Sequence, residues 1–217
     1  MANASNTTAP TQFIQTKLEK YAYRRFGKGP GLPLLCLQHF TGTLDNWDPA
    51  VTDPLALGRE AILFESAGLG RSTGQVPENM AGMAAHALAF VDALGLKRLD
   101  ILGYSLGGMV AQQVALERPS LLHKMLLVAI AQIKAFRAWE QYSGERFAKL
   151  GKITQPCLVV NGVFDNMIPV RNSYMLSEHL PNAMLLTYPD AGHGSLFQFH
   201  KSFVRQASLF LDSEGIN

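Results

Sequence analysis

From Pro33 onward the chain alternates short unbroken apolar runs with longer stretches in which apolar residues return every three or four positions. The runs Pro33–Leu37, Ala61–Phe64, Arg98–Leu102, His123–Ile130, Pro156–Val160 and Ala183–Tyr188 read as strands, several of them apolar on both faces as in a covered sheet. Helical spacing fills the intervals. Pro77–Leu94 carries Met80, Met83, Ala84, Ala87, Val91 and Leu94 on one face, with the methionines read as core. Met109–Leu116 continues until Pro119, Ile133–Leu150 is spaced through Phe136, Trp139, Phe147 and Leu150, and Pro169–Leu180 and Ser195–Leu211 complete the set. Ahead of this region, Phe13–Phe26 alternates as an antiparallel pair turning near Leu18-Glu19-Lys20. Asp45–Leu57 reads as a short helix interrupted at Pro49 and Pro54. The alternation predicts an α/β fold: a three-layer sandwich, a mostly parallel sheet with helices on both faces. In such sheets ligands bind beyond the carboxyl ends of the strands, in the loops.

Length and composition narrow the class. The 217 residues suit one domain, placed at residues 12–217. Residues 1–11 read as a flexible tail, because Met1–Pro10 is polar, with neither the basic start nor the apolar core of a secretory signal. The chain is 47% apolar and 17% charged, with 19 basic and 17 acidic residues and a net charge of +2, which argues against nucleic acid or an anionic membrane as partner. No apolar run approaches a membrane span, and a cytoplasmic location is expected. Cys36 and Cys157 fall within apolar runs and are expected as buried free thiols. A disulfide would require those two strands to lie side by side.

The chemistry gathers in three of the loops. Gly103-Tyr104-Ser105-Leu106-Gly107 stands between a strand and a helix. Gly-x-Ser-x-Gly in that context is the nucleophile elbow, a strained turn that lifts a serine hydroxyl above the sheet. The amide of Leu106, in the first helical turn, has no helical acceptor and can face a developing negative charge. Asp165 follows the strand Pro156–Val160, and His193 stands between Gly192 and Gly194 after the strand Ala183–Tyr188. The order Ser, Asp, His is that of α/β-hydrolases. Serine alone is a weak nucleophile at neutral pH. His193 would take its proton and later return it to the leaving group, and Asp165 would hold the imidazole tautomer. His39, His86, His123, His179 and His200 lack this setting, and Asp190, three residues from His193, is the rival acid. No metal-ligand spacing such as His-Glu-x-x-His occurs, so neither metal nor cofactor is expected.

With Gln38-His39-Phe40-Thr41-Gly42 after the strand Pro33–Leu37, the chain resembles the α/β-hydrolase superfamily, in the group of small serine esterases and cofactor-free haloperoxidases (perhydrolases), over about Thr11–Phe210. The resemblance implies that Phe40, or Thr41 one residue later, supplies the second oxyanion amide, where the family usually has His-Gly in place of Gln38-His39. It also implies a cap of several helices between the strands His123–Ile130 and Pro156–Val160. Only residues 131–155 are present there, so a strongly reduced lid is expected, with an open site walled by Phe40, Tyr104, Trp139, Met167 and Ile168. The expected activity is hydrolysis of a small-molecule ester through an acyl-enzyme. Perhydrolysis, a non-catalytic ligand-binding protein and an inactive scaffold are the alternatives. Apolar surface bared by the short lid leaves room for a homodimer.

Overall fold

The computed structural model describes residues 4–129 and 145–214. The chain begins with an antiparallel pair, β1 (Gln12–Gln15) and β2 (Lys20–Phe26), followed by β3 (Leu34–Leu37), α1 (Pro49–Leu55), β4 (Ala61–Phe64) and α2 (Met80–Ala93). Next come β5 (Leu99–Tyr104), α3 (Leu106–Glu117), β6 (Leu122–Val128), α4 (Glu145–Leu150) and β7 (Cys157–Gly162). The remaining elements are α5 (Val170–His179), β8 (Ala183–Tyr188), α6 (Ser195–Gln198) and α7 (His200–Asp212). Among the described residues the strands form one eight-stranded sheet in the order β1-β2-β4-β3-β5-β6-β7-β8. The β1–β2 and β2–β4 pairings are antiparallel and the others parallel.

Period-two alternation sorts the strand side chains between two cores. Leu35 and Leu37 of β3, Ile101 of β5, Leu127 of β6 and Val159 of β7 join α2 and α3 on one face. Leu34, Cys36, Leu102, Val128 and Val160 join α1, α6 and α7 on the other. Every position of β3, β4, β5 and β7 is buried, which is why β3, β4 and the first four positions of β7 read as continuous apolar runs, while β5 also buries Asp100. Cys36 and Cys157 are both free and buried. They face opposite cores, and β5 and β6 lie between their strands, so no disulfide joins them.

Three expectations about local structure need correction. Pro54 lies inside α1 and does not interrupt it, whereas the stretch Asp45–Leu57 is broken at the extended residues Trp47 and Asp48, just ahead of Pro49. Pro49 occupies the first turn of α1, where no amide is needed, behind Asp48, whose side chain accepts from the Ala50 amide at 2.8 Å. The helix expected from Pro77 starts at Met80, because the Asn79 side chain caps it through the Gly82 amide at 2.8 Å. The final helix is two. Phe199 leaves helical geometry (φ −112°, ψ 36°), and its ring stacks 4.9 Å from that of Tyr188.

The N-terminal residues also depart from expectation. Of the segment read as a loose tail, residues 5–9 form a turn that is tied to the body. Asn6 is buried, and its Nδ2 donates to the Trp47 carbonyl at 2.9 Å and to Thr52 Oγ1 at 3.1 Å, while its amide reaches Asp53 Oδ1 at 2.7 Å. A polar side chain that satisfies buried acceptors is as effective an anchor as an apolar one, and hydropathy does not reveal it.

Candidate active site

The site lies at the carboxyl ends of the strands and begins with β5 running into α3. Ser105 is at φ 54°, ψ −118°, a conformation that strains any residue with a side chain. Its amide donates to the Val128 carbonyl at 2.8 Å, which pins the turn to β6. The flanking glycines are dictated by close approach. A Cβ on Gly103 would stand 2.5 Å from the Cα of Gly108, and one on Gly107 would stand 2.1 Å from the Leu37 carbonyl oxygen.

Two further loops converge on the serine. Gly162, the last residue of β7, lets the loop after β8 pass directly over it, since a Cβ there would meet the Ala191 carbonyl at 2.2 Å. The Phe164 amide then bonds to Ala191 at 2.9 Å, locking the two loops together. Asp165 is buried, and its Oδ1 accepts from the amides of Met167 at 2.9 Å and Ile168 at 2.8 Å. Its Oδ2 lies 2.9 Å from His193 Nδ1. A carboxylate only accepts, so Nδ1 carries the proton and Nε2 presents a lone pair. Nε2 is 3.1 Å from Ser105 Oγ, within reach of the hydroxyl proton. Ser105, His193 and Asp165, separated by up to 88 positions in sequence, thus form one hydrogen-bonded chain. Asp190 is exposed and makes no such contact. Among the competing histidines, His86 is bonded to Tyr21 and His123 to Asp100.

The loop after β3 forms the neighbouring wall. The Gln38 side chain folds back beneath it, its Oε1 accepting from the His39 amide at 2.9 Å, and Gly42 must be glycine because a Cβ would meet Gln38 Cγ at 2.1 Å. Thr41 sits at φ 61°. Among the described residues the amides of Phe40, Thr41 and Leu106 have no backbone acceptor.

The expected pocket walls separate into distinct places. Phe40 and Met167 are each 58% exposed at the mouth. Tyr104 lies beneath His193, with ring centroids 5.5 Å apart, and packs edge-on against His39 and Phe197. Burial, with the Asp165 charge as a lesser cause, pushes its phenol up to about 12, so it stays neutral. Ile168 has a buried side chain, and its backbone serves the site through its amide to Asp165 and its carbonyl, which accepts from Asn161 Nδ2. Trp139 and most of the segment 131–155 lie outside the described residues.

One buried acid was not anticipated. Glu65, fully buried at the end of β4, accepts from the amides of Arg71 at 2.5 Å and Leu44 at 3.3 Å and from the Arg71 guanidinium at 3.3 Å. It thereby ties the loop after β4 to the residues following the Gln38–Gly42 loop. The sequence signal was the isolated acid at the end of an apolar run, Ala61-Ile62-Leu63-Phe64-Glu65. Among the described residues no group of three acidic, histidine or cysteine side chains has the arrangement of a metal site, and no helix is long and apolar enough to cross a membrane.

This sheet order and site define a class, and comparison with known proteins agrees. The chain belongs to the alpha/beta hydrolase fold family, whose model matches residues 33–144, and a model described as TAP-like protein matches residues 136–215. An alpha/beta hydrolase fold protein from Chitinophaga pinensis is 36% identical with a TM-score of 0.85, over 97% of this chain and 100% of that one. A hydrolase from Pseudomonas aeruginosa PA01, 21% identical, shares the fold with a TM-score of 0.80 over 94% of this chain and 98% of that one. A protein of Pseudomonas savastanoi pv. phaseolicola named carbamate hydrolase RutD is 24% identical over 84% of this chain and 95% of its own length.

Proposed function

We propose that the protein is a serine hydrolase that cleaves carboxylic esters of small molecules through an acyl-enzyme. The observation that supports this reading is the chain of two hydrogen bonds, Ser105 Oγ to His193 Nε2 at 3.1 Å and His193 Nδ1 to Asp165 Oδ2 at 2.9 Å. As Ser105 Oγ attacks the ester carbonyl, its proton passes to His193 Nε2 and the imidazolium is stabilised by Asp165. The carbonyl oxygen becomes an oxyanion, held by the Leu106 amide and by that of Phe40. His193 returns the proton to the departing alkoxide and the acyl group stays on Ser105. Water, losing its proton to His193, attacks the acyl carbon, and His193 returns that proton to Ser105 Oγ as the acyl–serine bond breaks, releasing the acid and the free serine. If peroxide takes the place of water, the same acyl-enzyme releases a peracid.

The names of several relatives favour a second substrate class. A carbamate presents the same trigonal carbonyl to Ser105, with an amine or alcohol as leaving group, and it uses the same residues in the same roles.

The test is hydrolysis of p-nitrophenyl esters from acetate to octanoate, with an aryl carbamate in the same panel, by the parent and by Ser105→Ala. We expect ester turnover in the parent and a loss of at least about 10³-fold in the variant, with unchanged circular dichroism. Absence of turnover in a folded parent, or its survival in Ser105→Ala, would refute the assignment. Carbamate turnover above that of every ester would replace esters by carbamates as the substrate class.

A further inference from the structure

A cavity of about 190 Å³ opens beside the elbow, on the face of the sheet that carries α2 and α3. Phe40 and Leu106, whose amides are the oxyanion donors of the proposed mechanism, both stand on its wall. The cavity therefore adjoins the two residues whose amides would hold the carbonyl in that mechanism. The volume suits a short acyl group and is too small for a drug-sized ligand. Phe64, Leu69, Val76, Met83 and Val110 make most of the wall apolar. Away from the Gln38–Thr41 loop, the polar side chains on the wall are those of Ser66 and His86.

His86 is held in a defined state. Its Nδ1 lies 2.5 Å from the hydroxyl of Tyr21, which is fully buried, and the two rings meet edge to face with centroids 5.9 Å apart. Burial holds the Tyr21 phenol above its ordinary range, and its hydroxyl shares one short hydrogen bond with Nδ1. Nε2 is the polar ring atom left to offer to the cavity, and it carries the ring proton when the phenol donates to Nδ1. A donor fixed in this way in an apolar pocket discriminates by hydrogen bonding. A ligand oxygen satisfies it, whereas a methylene in the same place leaves it desolvated and unpaired.

We infer that this cavity receives the acyl portion of the substrate and that His86 recognises a second oxygen acceptor on it, such as a ketone, so that oxoacyl esters are preferred over plain alkanoyl esters of the same length. The inference rests on the ester reading for its substrate class, and it explains why a histidine anchored by a buried tyrosine stands on a mostly apolar wall. The acidity of the substrate plays no part.

The experiment compares kcat/KM for p-nitrophenyl 4-oxopentanoate with pentanoate, and 5-oxohexanoate with hexanoate, in the parent, His86→Leu and Tyr21→Phe. The parent should favour at least one oxo ester about tenfold over its partner, as one buried hydrogen bond implies. The ratio should fall to about one in His86→Leu, and to an intermediate value in Tyr21→Phe, where the tautomer is no longer fixed. A ratio near one for both pairs in the parent, or a ratio that survives His86→Leu, overturns the inference. Calorimetric binding of N-methyl-4-oxopentanamide and N-methylpentanamide to Ser105→Ala, with and without His86→Leu, separates it from the esterase reading. Tenfold tighter binding of the oxo amide, abolished by His86→Leu, upholds the pocket even if no ester is turned over; equal binding of the two amides overturns it.

Discussion

At the scale of single residues, Asp165 illustrates how partners restrict what a position tolerates. Its Oδ1 faces two amides, those of Met167 and Ile168, and its Oδ2 faces His193. In Asp165→Asn the side-chain oxygen must remain toward the two amide donors, so the NH₂ turns toward His193 Nδ1. That forces the imidazole proton to Nε2, where it confronts the Ser105 hydroxyl. We expect kcat for ester hydrolysis to fall by about 10³ to 10⁴ with little change in KM or in melting temperature. Steady-state kinetics beside a thermal melt would check this, and a loss below tenfold would remove Asp165 from the mechanism. The thiols make a second prediction. Burial pushes Cys157 up to about 12 and raises Cys36 further. Neither should react with a disulfide reagent at pH 8 in the native protein, and two thiols per chain should titrate after denaturation.

At the scale of elements, the elbow depends on backbone proximity that only glycine permits. Gly107→Ala, with its Cβ 2.1 Å from the Leu37 carbonyl, should cost about 2–3 kcal/mol or prevent folding. Gly58→Ala meets nothing within 4 Å and should stay within about 0.5 kcal/mol of the parent. Urea midpoints of the two variants make the comparison, and equal midpoints would contradict it. The elements themselves were largely legible. Continuous apolar runs marked β3, β4 and β7, and Gly-x-Ser-x-Gly after a short apolar run marked β5 and the strand-to-helix turn, because period and turn chemistry are local properties. What was illegible depended on distant partners. Phe199 breaks the final helix beneath Tyr188, and Asn6 is anchored against residues 47–53.

At the scale of the molecule, the end of the sheet remote from the serine is closed by a buried charge cluster. Arg59 pairs with Asp100 at 3.3 Å and with Asp212 of α7. Lys124, also buried, donates to the carbonyls of Phe210 at 2.7 Å and Leu211 at 3.1 Å, capping the same helix. Burial raises Asp100 above the usual carboxylate range even with His123 and Arg59 beside it. Arg59→Ala would leave Asp100 short of a cation and should cost about 3–5 kcal/mol, read as a lower urea midpoint with ester hydrolysis by the folded fraction retained. Asp45 behaves in the opposite sense. Hydrogen bonds from Arg71 and Arg24 hold its carboxyl below the ordinary range. Its contribution is therefore complete above the ordinary carboxylate pKa and is lost as pH falls through the lowered folded value. Asp45→Asn should lose less melting temperature than the parent between pH 6 and pH 3, and parallel curves would show that the pair contributes nothing.

By itself the sequence determined the α/β class, the order of most elements and the residues Ser105, Asp165 and His193 as one candidate set. Each of these follows from chemistry within a few positions: apolar periodicity, a Gly-flanked serine, an acid and a histidine in loops after strands. Only the tertiary structure decided that Asp165 rather than Asp190 meets His193, that Ile168 turns into the core, and that Glu65 braces the loop beside the oxyanion amides. It alone assembled the cavity whose wall draws on Phe40, Phe64, Met83, His86 and Leu106. Those residues come from three separate strand–loop–helix units, and their contact is set by how α2 and α3 pack on a twisted sheet, a long-range outcome that no local pattern encodes.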